Sequence, residues 1–192
     1  CPSQLQQRLE HFASRGAMDI RGIGESMSAT LLKEKVVKDG DNYRPARDVS
    51  DIYDIDKERL ASLERMGEKS ASNIMEAIEK SKKRPLARVI FALGIRHIGA
   101  EMAGVLAGHF SNIDKLTQAS REELMAVPSI GPKIAESLIT FFRQEDNKRI
   151  IQRLKDAEVN LKAEPAKPEE QLLARQEFVI TGTLQAFSRE EA

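Results

Sequence analysis

The chain has 192 residues, room for one or two domains, and its 41% hydrophobic and 31% charged residues are the ordinary balance of a soluble globular protein. Lys plus Arg and Asp plus Glu each number 30, so the formal net charge is zero; this excludes the broadly basic surface of many nucleic-acid-binding domains and leaves any such task to main-chain groups and a few local cations. No apolar run approaches a membrane span and no signal peptide opens the chain, so an intracellular place without membrane contact is the default expectation.

In chain order, Ser3 is placed to cap a first helix running to about Ala13, with Leu5, Leu9 and Phe12 at helical spacing. A pattern then begins that recurs four times: apolar-x-x-apolar-Gly-x-x-x-(Ala/Ser)-x-x-apolar-apolar. Its copies centre on Gly24 (IRGIGESMSATLL), Gly67 (LERMGEKSASNIM), Gly99 (IRHIGAEMAGVLA) and Gly131 (VPSIGPKIAESLI). Between the first two lies the polar stretch KDGDNYRPARDVSD, which holds Gly40 and Pro45 and reads as a connection. Helical lead-ins, DIYDIDKERL and NIDKLTQASREEL, precede copies two and four, which pairs one with two and three with four. A last helix is expected near Asn147 to Ala157, then a linker over 163–177 with two prolines and many charges. Phe178 to Leu184 (FVITGTL) is a short β run, and Ser188-Arg189-Glu190-Glu191 a capping-box helix opening, together read as the start of a truncated second domain.

The register of the repeat implies a helix, a tight turn and a second helix. Small Ser28, Ala71, Ala103 and Ala135 stand four residues after the glycine, where two helices can cross closely. Leu31/Leu32, Ile74/Met75, Leu106/Ala107 and Leu138/Ile139 follow on the same helical face and should enter a core. Upstream, Ala17, Leu60, Ala92 and Leu124, with Ile20, Leu63, Ile95 and Val127, should close off an incoming helix. The glycine is expected to supply the positive φ or the close backbone approach of the turn.

The chemistry of such a turn lies in its backbone. Amides at the start of the second helix lack intrahelical partners and carry the positive end of the helix dipole, a setting that suits a phosphodiester without reading bases. Candidate backbone-binding residues are therefore Gly22, Ile23 and Gly24, Arg65 and Gly67, His97 and Gly99, and Gly131. Lys69 and Lys133, two residues past their glycines, could reach the same phosphate. Arg65 and His97 replace the first glycine of a Gly-x-Gly turn kept at Gly22 and Gly24. Further cations cluster at Lys80, Lys82, Lys83 and Arg84 and at Arg143, Lys148 and Arg149, where a solvated helix face is the plain alternative.

Motif and spacing resemble the helix-hairpin-helix module of non-sequence-specific DNA-binding proteins. Four copies, a Pro-containing linker and FVITGTLQAFSREEA in that order resemble the C-terminal part of bacterial NAD-dependent DNA ligases. The resemblance implies a mainly α fold with this organisation: 1–16, the end of a zinc-finger region and a lead-in helix; 17–162, a tandem helix-hairpin-helix domain; 163–177, a linker; 178–192, the truncated start of an α/β BRCT domain. It implies that Cys1 is the last ligand of a four-cysteine zinc finger whose other ligands lie upstream, and that the intact protein uses NAD and magnesium to seal nicks in replication and repair. It further implies nicked duplex DNA and the remaining ligase domains as partners, and a cytoplasmic, nucleoid-associated setting in a bacterium.

The adenylated lysine of that family lies in a Lys-x-Asp-Gly motif, and Lys38-Asp39-Gly40 lacks the intervening residue, so this chain by itself is expected to bind no cofactor and to catalyse nothing. Two alternatives stand beside this reading. A helix-hairpin-helix glycosylase would place a Schiff-base lysine at Lys69 or Lys133, but no Gly/Pro-rich loop and catalytic aspartate follow Lys133. A protein-interaction scaffold, in which the hairpins are only structural, would fit the neutral charge.

Overall fold

Helix α1 (Pro2–Ala13) forms around the spacing of Leu5, Leu9 and Phe12, the last two fully buried. The computed structural model describes residues 2–163. The helix already includes Pro2, which a first turn accepts because no partner is lost with its missing N–H, so Ser3 lies inside the helix and not at its cap. After Ala13 the polar turn Ser14-Arg15-Gly16 stops the helix: Ala17 and Ile20 are buried as expected, but outside any helix, with the Ile20 N–H donating to the Ala13 carbonyl at 2.9 Å.

Helix α2 (Glu25–Leu31) completes the first hairpin. The polar connection that follows is more ordered than its composition implies. Strands β1 (Val37–Asp39) and β2 (Asn42–Arg44) pair antiparallel, Val37 opposite Arg44, around a turn at Gly40. A 3₁₀ helix, Val49–Asp54, then starts from a capping box between Asp48 and Asp51. The lead-in expected as one helix is thus split, and α3 (Lys57–Ala61) begins anew with Asp56 as its cap.

Helix α4 (Glu68–Ser81) closes the second hairpin; α5 (Leu86–Ala92) and α6 (Ala100–Phe110) form the third. The second lead-in also divides, at Ala119, into α7 (Ile113–Gln118) and α8 (Arg121–Met125), capped by Asn112 and Ser120. Helix α9 (Pro132–Arg143) completes the fourth hairpin and α10 (Glu145–Asp156) covers it. The fold is mainly α with tandem hairpins, as the repeat implies, plus a two-stranded sheet that the sequence reading missed. The linker and the strand-turn-helix start lie outside the described residues apart from Ala163, as does Cys1.

The repeat's core logic holds. Ser28, Ala71, Ala103 and Ala135 are all fully buried, so backbones meet closely at each crossing. Leu31, Ile74, Leu106 and Leu138, one turn on, fill the core beneath them. Ser28 differs from the three alanines in carrying a hydroxyl that finds no partner among the described residues.

Buried Asp51 ties the connection to the far end of the chain. It takes a bidentate pair of 2.8 Å hydrogen bonds from Arg44, a 2.6 Å bond from the Arg47 N–H, and an ion pair at 2.5 Å with Arg153 of α10. Arg153 also pairs with Asp48 and Asp54. Further ties join the first hairpin pair to the second: Arg84 with Asp19, His11 Nε2 with the Phe91 carbonyl at 2.8 Å, and the Asn160 N–H with the Lys82 carbonyl at 2.7 Å.

Burial alone would raise the Asp51 carboxyl, but the Arg44 hydrogen bonds, the Arg47 N–H and Arg153 together hold it down at about 2, against an ordinary 3.8. Because the folded value is depressed, its contribution is complete above about pH 4 and lost as pH falls through about 2. Chemical denaturation should therefore show the stability gap between the native chain and Asp51→Asn shrinking by about 2 kcal/mol from about pH 5 to about pH 2; a constant gap would remove Asp51 from the acid response. Gly22 is the second sensitive point, with φ +98° and a position where a Cβ would stand 2.5 Å from Ile74 Cγ1 of α4. Gly22→Val should lower stability by about 2–4 kcal/mol, whereas Gly24→Ala, with nothing within 4 Å of its Cβ, should stay within about 1 kcal/mol.

Candidate nucleic-acid interface

All four turns are built in one way. The apolar residue before the hairpin glycine, Ile23, Met66, Ile98 or Ile130, packs inward while its N–H donates to the carbonyl three residues earlier, at 3.4, 3.0, 3.0 and 3.2 Å. The residue ahead of it takes a left-handed conformation in every copy: Gly22 at φ 98°, Arg65 at 63°, His97 at 68° and Ser129 at 66°. Ser129 is the member that sequence reasoning missed, although counting back two from Gly131 finds it. For the three non-glycine residues this conformation costs about 1–2 kcal/mol each, because Cβ crowds the next carbonyl oxygen.

Of the two roles expected of the hairpin glycines, a positive φ or a close backbone approach, the first falls instead to the residue two before them. Gly24, Gly67, Gly99 and Gly131 are N-caps in extended conformation, with φ of −109°, −116°, −88° and −89°. A Cβ at any of them would meet nothing within 4 Å. Neither backbone strain nor internal crowding calls for glycine there.

None of these four helix starts has a side-chain cap, whereas Asp48, Asp56, Asn112 and Ser120 cap other helices of the same chain. The N–H groups of Ser28, Ala71, Ala103 and Ala135 return to the glycine carbonyls at 2.8–3.1 Å, which leaves the amides before them without helical acceptors. In the fourth copy Pro132 has no N–H and Ile134 already donates to the Gly131 carbonyl, so fewer amides are free. That copy compensates in charge: its first turn has no acidic residue, while Glu25, Glu68 and Glu101 stand in the first turns of the others.

The cations sort themselves by pairing. Lys69 and Lys133 are exposed and have no ion-pair partner among the described residues; Arg65 is 92% exposed and meets only Glu64, at 4.0 Å. In the basic run at the end of α4, Lys80 is held by Glu76 at 2.6 Å, Lys82 by Glu79 at 2.7 Å, and Arg84 by Asp19. Lys148 and Arg149 are likewise paired, with Glu145 and Asp146. Both basic clusters that the sequence singled out are thus mostly neutralised by neighbouring acids, while Lys69 and Lys133 beside the turns are not.

Two grooves show how the hairpins associate. The first, about 750 Å³, runs between the turn of copy one and α4 of copy two and is lined by Arg21, Gly22, Ser70 and Asn73 among others. The second, about 580 Å³, runs between the turn of copy three and α9 of copy four, with Arg96, His97, Lys133 and Ser137 in its wall. One pairs with two and three with four, as the lead-ins implied. Among the described residues no three His, Cys, Asp or Glu side chains gather as a metal-ligand set, and no helix is long and apolar enough to cross a membrane.

The SAM-like helix-hairpin-helix tandem family model matches residues 15–80, copies one and two, and the helix-hairpin-helix motif model matches 88–151, copies three and four. The chain is 48% identical to a DNA ligase of Dehalococcoides mccartyi strain CBDB1, over 100% of its own length and 27% of that protein. It is 45% identical to the DNA ligase of Anoxybacillus flavithermus, over 100% of itself and 28% of the relative, and 46% identical to that of Carboxydothermus hydrogenoformans, over 100% and 27%. It spans about a quarter of the length of these relatives. With identity sustained from end to end and both hairpin pairs matched by helix-hairpin-helix models, the chain belongs to the bacterial DNA ligase family, as a segment carrying its tandem hairpins.

Proposed function

We propose that this chain grips duplex DNA through the phosphate backbone, without sequence preference, and holds a nick in place while other domains of a DNA ligase seal it. The observation that carries the reading is the set of four extended, uncapped glycines with open space where a Cβ would go. Nothing among the described residues demands glycine at those points, which is what a ligand approaching the backbone closely would require. Free amides at a helix start select an anion, and glycine lets a bulky phosphodiester reach them. Left-handed Arg65 and His97, and Lys69 and Lys133 in the first turns of their helices, add polar or charged groups beside that anion.

Contribution to sealing is then by positioning: binding energy from the backbone contacts keeps the two ends of a nick aligned. NAD and magnesium would act in the remainder of the longer protein, zinc would involve Cys1 with ligands from outside this sequence, and the 178–192 segment would open a BRCT domain. A nucleoid-associated, cytoplasmic setting follows from the same reading. The glycosylase alternative has little support, because Lys69 and Lys133 are exposed and a nucleophilic lysine needs a desolvated site.

Gly131→Asp separates the DNA reading from a scaffold. The carboxylate would cap α9, leaving stability unchanged or up to about 1 kcal/mol higher, while occupying the amides and repelling phosphate. Affinity for nicked duplex by fluorescence anisotropy should fall roughly tenfold or more; undiminished affinity in a folded variant would take the fourth hairpin out of the interface. Binding by the native chain should drop steeply between about 50 and 200 mM salt and vary little with sequence. With NAD and magnesium the chain should acquire no adenylate by mass spectrometry, since Lys38 and Gly40 belong to the β1–β2 hairpin; an adduct on Lys38 would overturn the positioning role.

A further inference from the structure

The two grooves share a feature that the hairpin glycines do not explain. Three residues before the glycine, copies one and three carry Arg21 and Arg96, while copies two and four carry Glu64 and Pro128 at that place. Both arginines are exposed and have no ion-pair partner among the described residues. Each lines the groove of its own pair.

The opposite walls also correspond by register. Asn73 of α4 and Ser137 of α9 both lie six residues after their glycines, polar and facing the groove. Other residues of these walls have diverged, as Lys80 against Gln144 and Ala77 against Phe141. Arginine stands at this place in the odd copies alone.

Charge accounting within the grooves gives the arginines a role. In the first, Asp19 is spent on Arg84 and Glu76 on Lys80, so Arg21 is left unmatched. In the second, Arg96 and Lys133 outnumber Glu136. Each groove is therefore locally cationic in a chain of zero net charge, and it opens beside a turn whose amides favour an anion.

We propose that Arg21 and Arg96 are equivalent phosphate-binding residues, one per hairpin pair, each taking a phosphodiester in the inter-hairpin groove beyond the one held at the turn amides of its own copy. This rests on the phosphate-backbone reading and extends it from the turns to the grooves. The guanidinium fork suits two oxygens of one phosphate, and one arginine per pair lets the two pairs engage the duplex in the same manner.

The test is salt-dependent binding of the 192-residue chain to a labelled nicked duplex, with Arg21→Ala, Arg96→Ala, Arg21→Lys and, as control, Lys33→Ala at the far end of α2. Each alanine variant should bind roughly three- to tenfold more weakly at low salt and lose about one unit of the log–log salt slope. Arg21→Lys should regain the slope and Lys33→Ala should match the native chain, all with unchanged melting temperature. Alanine variants that keep the native slope would overturn the assignment of the arginines while leaving the turn amides as the site. A native chain that does not bind at low salt would overturn both readings.

Discussion

Everything in this molecule hangs on how the chain reverses between paired helices. A left-handed residue followed by an apolar one packed on the core, whose N–H closes back on the incoming segment, turns the backbone in a few residues and delivers glycine to the start of the next helix. The reversal is tight enough for a fully buried alanine or serine to mark the helix crossing one turn later. Core packing and exposed amides are therefore two faces of one geometry: the turn that sinks Ile23 or Ile130 also leaves the following N–H groups outside. Strain at Arg65, His97 and Ser129 is offset by that burial, and it recurs in three of the four copies because the geometry is the same.

A neutral chain can present cationic sites if its charges are partitioned. Here several acids are engaged with bases in short-range pairs, on helix surfaces at Glu76–Lys80 and Glu79–Lys82 and in the network where Asp51 gathers Arg44 and Arg153. The surface pairs contribute little to stability. Their consequence is the residue of unmatched charge beside the turns and in the two grooves. The Asp51 network does something different, since it joins the β1–β2 connection to α10 and so helps to fix one hairpin pair relative to the other.

Much of the fold was legible in the repeat. Spacing of Ser28, Ala71, Ala103 and Ala135 identified the helix crossings, and the leucines and isoleucines beyond them identified the core, because helical periodicity projects them to one side whatever they pack against. The candidate site was legible in outline for the same reason, with four glycines in register at four helix starts. The β1–β2 hairpin and the 3₁₀ helix were not, because their stretch is short, polar and not periodic; they are ordered by contacts far away in sequence, such as Asp51 with Arg153.

The sequence by itself determined the number of hairpins, their pairing and the residues that enter each crossing, since these follow from local periodicity and small side chains at fixed offsets. Tertiary structure decided which residue bears the positive φ, placing it two before the glycine because the apolar residue between them must reach the core. It also decided which cations are free where the partner is distant in sequence, since Arg84 is neutralised by Asp19, which only the fold brings within reach. Composition reports a sum of charges; a phosphate would meet only those the fold leaves unpaired.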